Sequence, residues 1–119
     1  MKNKIHEFDC GIYPRLIWVA IGVPTEELNE FFEGEIDDLD QSSYAEVTNE
    51  RRLEPSVRGG LLIRFSEKPT MKHITHESTH AAMEIFAYIG AEVDLKNQEP
   101  FSYLCGWIAD CIDKVVNRP

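Results

Sequence analysis

The sequence predicts a single α+β domain over residues 1–119: a small, mostly antiparallel sheet of three or four strands from the first half, packed by two helices from the second. Three observations carry this. Residues 12–22 are β-branched and aromatic and apolar at both parities from Leu16 onward, as a strand covered on both faces requires. Apolar and polar residues then alternate, partly over 44–53 and clearly over 59–66, as in a half-buried antiparallel pair. After Pro69 the apolar period changes to steps of three and four, which is helical.

The 12–22 strand is expected at the centre of the sheet. Thr25 is read as the cap of a short helix over 25–33, with Glu26 and Glu27 in its first turn and Gly34 past its end. Glu33 to Ser43 holds Glu35, Asp37, Asp38 and Asp40 beside two serines. That is the chemistry of a solvated loop; a Ca²⁺ loop is the alternative, without the EF-hand pattern. The connection Glu54-Pro-Ser-Val-Arg, followed by Gly59-Gly60, reads as a loose hairpin turn, and the glycines lack the Lys-Ser or Lys-Thr of a phosphate loop. Thr70 caps a helix over 70–89 whose apolar positions are Ile74, Ala81, Ile85 and Ile89, ending at Gly90. Phe101, Leu104, Cys105, Ile108, Cys111, Ile112 and Val115 form the stripe of a last helix over 98–116.

Composition narrows function. At 119 residues with 43% hydrophobic and 28% charged, the chain suits one domain with its own core and excludes a multidomain enzyme. Twelve Lys and Arg against 21 Asp and Glu give a net charge of −9, which opposes attraction to phosphate backbones or anionic lipid. No nucleic-acid or membrane partner is therefore expected. The longest apolar run, Leu16 to Val23, is far short of the roughly 20 residues that span a bilayer. Lys2 and Lys4 lead into His6, Glu7 and Asp9 without an apolar targeting segment, so a cytoplasmic setting is expected. Cys10, Cys105 and Cys111 are odd in number and lack CxxC spacing, which favours reduced thiols; on the apolar stripe, Cys105 and Cys111 read as small hydrophobes.

The informative segment is His76-Glu77-Ser78-Thr79-His80, an H-E-x-x-H within the 70–89 helix. Residues four apart share a helical face, so His76 and His80 can present imidazole nitrogens to one Zn²⁺. Glu77, turned about 100° from His76, can reach an attacking water as general base without being a ligand. On the helical wheel His73, His76 and His80 lie opposite the apolar stripe. Two plainer readings are surface histidines that happen to align, and a cluster hydrogen-bonded to nearby carboxylates.

A catalytic zinc site needs a third protein ligand and an open position. The same helix cannot supply it: His73 and His80 are separated by about 10 Å of rise, and His76 and Glu84 by about 12 Å. The candidate is Glu99, at the start of the last helix in Asn97-Gln98-Glu99-Pro100-Phe101. It shares the side opposite that helix's stripe with Tyr103 and Asp110. An acidic residue there is also what capping and the helix dipole favour.

Residues 70–116 resemble the gluzincin class of zinc metallopeptidases, with His76, Glu77 and His80 followed by Glu99 at a gap like that of thermolysin-like enzymes. The position four after the ligand glutamate, often an aspartate in that class, is Tyr103 here. His-Glu-Ser-Thr-His-Ala-Ala-Met with Glu-Pro-Phe-Ser-Tyr-Leu-Cys-Gly-Trp is also similar to short zincin-like proteins of phages and mobile elements of gut Bacteroidetes. The resemblance implies a minimal zincin-like layout and a peptide or protein substrate. His76, His80 and Glu99 would be its metal ligands and Glu77 its general base. Tyr103 is a candidate to hydrogen-bond a ligand or polarise a substrate oxygen, or else a surface tyrosine. With no second lobe to hold substrate, an edge strand such as 44–52 or 59–66 is expected to take a peptide by strand addition. The competing expectation is a non-catalytic binding or structural protein whose zinc only ties helices together, its fourth position filled by His73 or a cysteine. A third is an acidic adaptor acting through Glu26 to Asp40.

Overall fold

The computed structural model describes residues 4–40, 44–53 and 58–117. The protein is α+β, and its chain divides into two compact units, Met1–Lys68 and Pro69–Pro119. The first contains β1 (Ile5–Asp9), β2 (Leu16–Ile21), α1 (Thr25–Phe31), β3 (Ala45–Arg51) and β4 (Gly59–Phe65); the second contains α2 (Met71–Ile89) and α3 (Glu99–Asn117). Among the described residues no helix is long and apolar enough to cross a membrane.

The sheet has the order β1-β2-β4-β3. Its β1–β2 and β3–β4 pairs are antiparallel, whereas β2 and β4 are parallel, with Ile17 beside Leu61 and Val19 beside Ile63. The parallel pair follows from connectivity: α1 and β3 intervene, so the chain crosses over before laying β4 against β2. As predicted, β2 is an interior strand. The expectation that 59–66 is a free edge is corrected, because β4 lies between β2 and β3, and all seven of its residues are buried. Gly59-Gly60 is also not turn chemistry but the opening of β4. A Cβ on Gly60 would stand 2.2 Å from the Leu16 carbonyl oxygen, so the absent side chain is what lets the two backbones approach. Residues 54–57 of the expected turn lie outside the described residues.

One face of the sheet carries Leu16, Trp18, Ala20 and Leu62, which form a core with Val23, Leu28, Phe32 and Ile36. Phe32 meets the Trp18 ring edge-on at 5.0 Å. Trp18, although fully buried, keeps its indole N–H satisfied by donating to Glu7 Oε1 at 2.8 Å. The α1 cap is Pro24 and not Thr25: the Pro24 carbonyl already accepts the N–H groups of Glu27 and Leu28. The helix ends at Phe31 because Phe32 turns extended and bridges to Arg52. The following acidic stretch is anchored as well as solvated, since the Asn29 side chain holds both the N–H and the carbonyl of buried Ile36. Residues 41–43 of that stretch lie outside the described residues.

In the second unit the helix signals hold. Thr70 occupies the α2 N-cap, with His73 Nδ1 2.8 Å from its hydroxyl, and Gly90 closes the helix in the left-handed conformation at φ 76°. The buried face of α2 holds Ile74, Ala81, Ala82, Ile85 and Phe86, together with Glu77 and Ser78. Helix α3 buries Leu104, Ile108, Cys111, Ile112 and Val115. Phe86 packs edge-on against Phe101 at 5.3 Å, and the Thr79 hydroxyl meets the Cys105 thiol. These two contacts, one near the joint between the helices and one further from it, make α2 and α3 antiparallel.

Candidate metal centre

The α2 helix does what the H-E-x-x-H spacing requires. His76 and His80 stack one turn apart with their Nε2 atoms 3.2 Å from each other and their rings at 73°. Two nitrogens bound to one tetrahedral Zn²⁺ at about 2.0–2.1 Å are roughly 3.3–3.4 Å apart. The pair is therefore already spaced as a chelate. The same separation suits an N–H···N hydrogen bond between the two rings, in which a proton takes the place of the ion. Both residues are exposed, and the His76 side chain keeps 65% of its accessible surface.

Glu77 behaves differently. Its side chain is only 10% exposed, and Oε2 lies 3.9 Å from His76 Nε2. On the wheel it falls between the histidine flank and the buried stripe, about 60° from His80. A carboxylate is thus held beside the imidazole pair with little water around it. His73 is taken up by the cap: the Thr70 N–H and hydroxyl both lie against its Nδ1.

The structure does not gather Glu99 with the pair. Among the described residues no three His, Cys, Asp or Glu side chains converge on a common point. The Phe86–Phe101 and Thr79–Cys105 contacts set the register of the hairpin and put residues near 104–107 of α3 level with His80. Glu99 is at least five residues before that level, or about 8–12 Å along the axis at 1.5 Å per residue. The azimuth adds to this offset: Thr79 and Phe86 mark the side of α2 that faces α3, and His76 and His80 lie roughly 60–120° around from it. Glu99 and Tyr103 are both solvent-exposed, Tyr103 at 74%, and Asp110 pairs with Lys114 at 3.4 Å. The spacing along the chain shows the gap between the candidate donors but not the register of the helices that carry them.

Two of the three cysteines lie in settings that disfavour a nucleophile. Cys105 and Cys111 are free thiols, Cys111 is buried, and burial pushes the Cys105 thiol above its ordinary pKa, which removes thiolate at neutral pH. In the first unit, sequence reading passed over Arg64, which is 4% exposed in a strand of apolar neighbours. It lines a cleft of ≈ 380 Å³ with Thr25, Glu26 and Asp38. It donates to the Asp37 carbonyl at 2.7 Å and to Glu46 Oε1 at 3.0 Å, so its charge is committed to the fold. No protein-family model, curated protein or solved structure matches the chain.

Proposed function

We propose that the protein is a zinc-dependent hydrolase acting on a peptide bond, with His76 and His80 holding the ion and Glu77 as general base. The observation that carries the reading is the 3.2 Å approach of the two Nε2 atoms on an H-E-x-x-H helix. The donor chemistry of the pair fits Zn²⁺, and Glu99 is the third donor the sequence offers. A zinc ion held by the pair would supply Lewis acidity and make an attacking water more acidic. The remaining chemistry belongs to the chain. Glu77 Oε2 takes a proton from the attacking water and returns it to the leaving amine. That carboxylate is buried, with Oε2 3.9 Å from His76 Nε2. The three free cysteines suit the cytoplasmic setting proposed for the chain.

The test is hydrolysis of a quenched-fluorescent peptide library by zinc-loaded wild type and Glu77→Gln. The variant is expected to keep its zinc and to lose roughly 100- to 10,000-fold in rate. Equal rates in the two would overturn the assignment of Glu77. A second reading, a non-catalytic protein stabilised by its metal, is favoured by one observation: Glu99 and Tyr103 stand apart from the histidine pair within the chain. Under it, zinc binds, no peptide is cleaved and Glu77→Gln changes nothing.

A further inference from the structure

We propose that the outer edge of β3 docks an extended peptide of another protein, added antiparallel along Ala45–Asn49, in which apolar and basic residues alternate. Of the two strands expected to take a peptide, β3 is the one at the edge of the sheet. The parity of its ladder shows which groups face outward. Ser66 donates to the Tyr44 carbonyl, so within the antiparallel β3–β4 pair the even-numbered residues of β3 bond β4, and the odd-numbered ones turn their N–H and carbonyl groups away from it. The edge is already used in this way further along. The Arg51 carbonyl accepts from Glu33 at 2.7 Å, Leu53 donates to the Phe31 carbonyl at 2.9 Å, and Phe32 bridges antiparallel to Arg52.

That added segment stops early. Gly34, left-handed at φ 83°, follows Glu33 and turns the chain off the edge, and the Ile36 backbone is held instead by the Asn29 side chain. Among the described residues no further segment bonds the outward N–H and carbonyl groups of Ala45, Val47 and Asn49. The stretch Ala45–Asn49, about 17 Å long at 3.4 Å per residue, therefore presents donors and acceptors in the register of a strand already begun.

The side chains along this stretch set the chemistry of the occupant. Glu46, Thr48 and Glu50 share one face of β3, and Ala45 and Val47 share the other. The Glu46 side chain gives one oxygen to Arg64 and is 38% exposed. In an antiparallel addition each incoming residue stands directly opposite one of these, where opposite charges and matched apolar side chains are the favourable pairs. Basic residues therefore suit the Glu46 face and apolar residues the Ala45–Val47 face. The net charge of −9 adds long-range attraction for a basic partner. β3 also carries no Pro, Gly or Lys of the kind that blunts an edge. None of this depends on the zinc reading.

The experiment is binding of a fluorescein-labelled Lys-Val-Lys-Val-Lys-Val peptide to the metal-free, full-length protein, read by fluorescence anisotropy. In the antiparallel register the valines lie opposite Ala45, Val47 and Asn49 and exchange the backbone bonds. N-methylation of the valines is therefore expected to weaken binding by about tenfold or more, and N-methylation of the lysines to leave it within about twofold. Val47→Pro removes an outward N–H and spares the ladder to β4. With its fold checked by circular dichroism, it is expected to weaken binding by about tenfold. The Glu-Val counterpart of the peptide is expected to bind more weakly, most of all at low salt. Equal effects of the two N-methylations, or no binding of the Lys-Val peptide, would overturn the inference. A dimeric wild type that Val47→Pro renders monomeric, with no peptide bound, would overturn it in favour of pairing between two copies of the chain. Glu77→Gln is expected to bind the peptide as wild type does, so failure here leaves the zinc reading intact.

Discussion

The two units spend their charged groups in opposite ways. In the sheet unit each arginine meets an acceptor from a distant part of the chain: Arg15 holds Asn49, Arg52 holds Glu7, Arg58 holds Asp9, and Arg64 holds Glu46. These bonds tie strand to strand, and Glu7 also receives the buried Trp18 indole. On α2, by contrast, His76, His80 and Glu77 meet chiefly one another, within one turn of one helix. Such contacts fasten nothing that the helix has not already fixed. Polar groups placed together without a fastening task are those available to a ligand, which is why the α2 flank, and not the more heavily charged sheet, carries the functional proposal.

If the contrast is right, the sheet should respond to substitution in stability and the α2 flank in metal binding. The largest effect is expected at Gly60, where a Cβ would meet the Leu16 carbonyl at 2.2 Å. Gly60→Ala is expected to cost about 3 kcal/mol, at the upper end of overpacking penalties, measured by urea unfolding. A cost within experimental error would mean that β2 and β4 separate freely and that the close approach does not hold the sheet.

A smaller effect of opposite sign is expected within α2. Ser78 is 2% exposed and its hydroxyl has no hydrogen-bond partner among the described residues. Ser78→Ala removes a buried unsatisfied group and is expected to stabilise by about 1 kcal/mol, with zinc uptake unchanged. Destabilisation would show that the hydroxyl has work in the site.

The rim of the sheet gives a pH signature. Hydrogen bonds from the Arg58 guanidinium and the Gly11 N–H hold the Asp9 carboxyl below its ordinary range. A depressed carboxylate contributes stability that is present above its unfolded pKa and lost as pH falls through the folded one. Arg58→Ala is therefore expected to remove stability at neutral pH and leave the most acid end unchanged. An acid-unfolding profile that merely shifts in parallel would contradict this. Smallest of all, the raised Cys105 thiol is expected to react with iodoacetamide at pH 8 more slowly than a fully exposed cysteine, and a faster reaction would contradict its burial.

Much of this fold is written in local pattern. The α2 and α3 boundaries were legible because Thr70, Gly90 and Pro100 mark helix ends and the apolar steps are regular. β2 was legible because both parities are apolar. Sheet order was not, since nothing local in Gly59-Gly60 distinguishes a turn from two strands pressed together. That distinction depends on Leu16, more than forty residues away. Thr25 misled because Pro24 had already supplied the accepting carbonyl. Of the candidate site, the histidine pair was readable from a four-residue spacing on a single rigid helix. Glu99 was readable as a donor but not in position, because the hairpin register depends on Phe86 meeting Phe101 and Thr79 meeting Cys105.

The central claim is that the α2 pair is a metal chelate while the sheet's charges are structural. Zinc titration against a competing indicator tests it in wild type, His80→Ala and Arg58→Ala. The account expects micromolar or tighter uptake in wild type, the same uptake in Arg58→Ala, and a loss in His80→Ala exceeding the roughly 10- to 100-fold typical of removing an outer partner. Equal uptake by wild type and His80→Ala would contradict it.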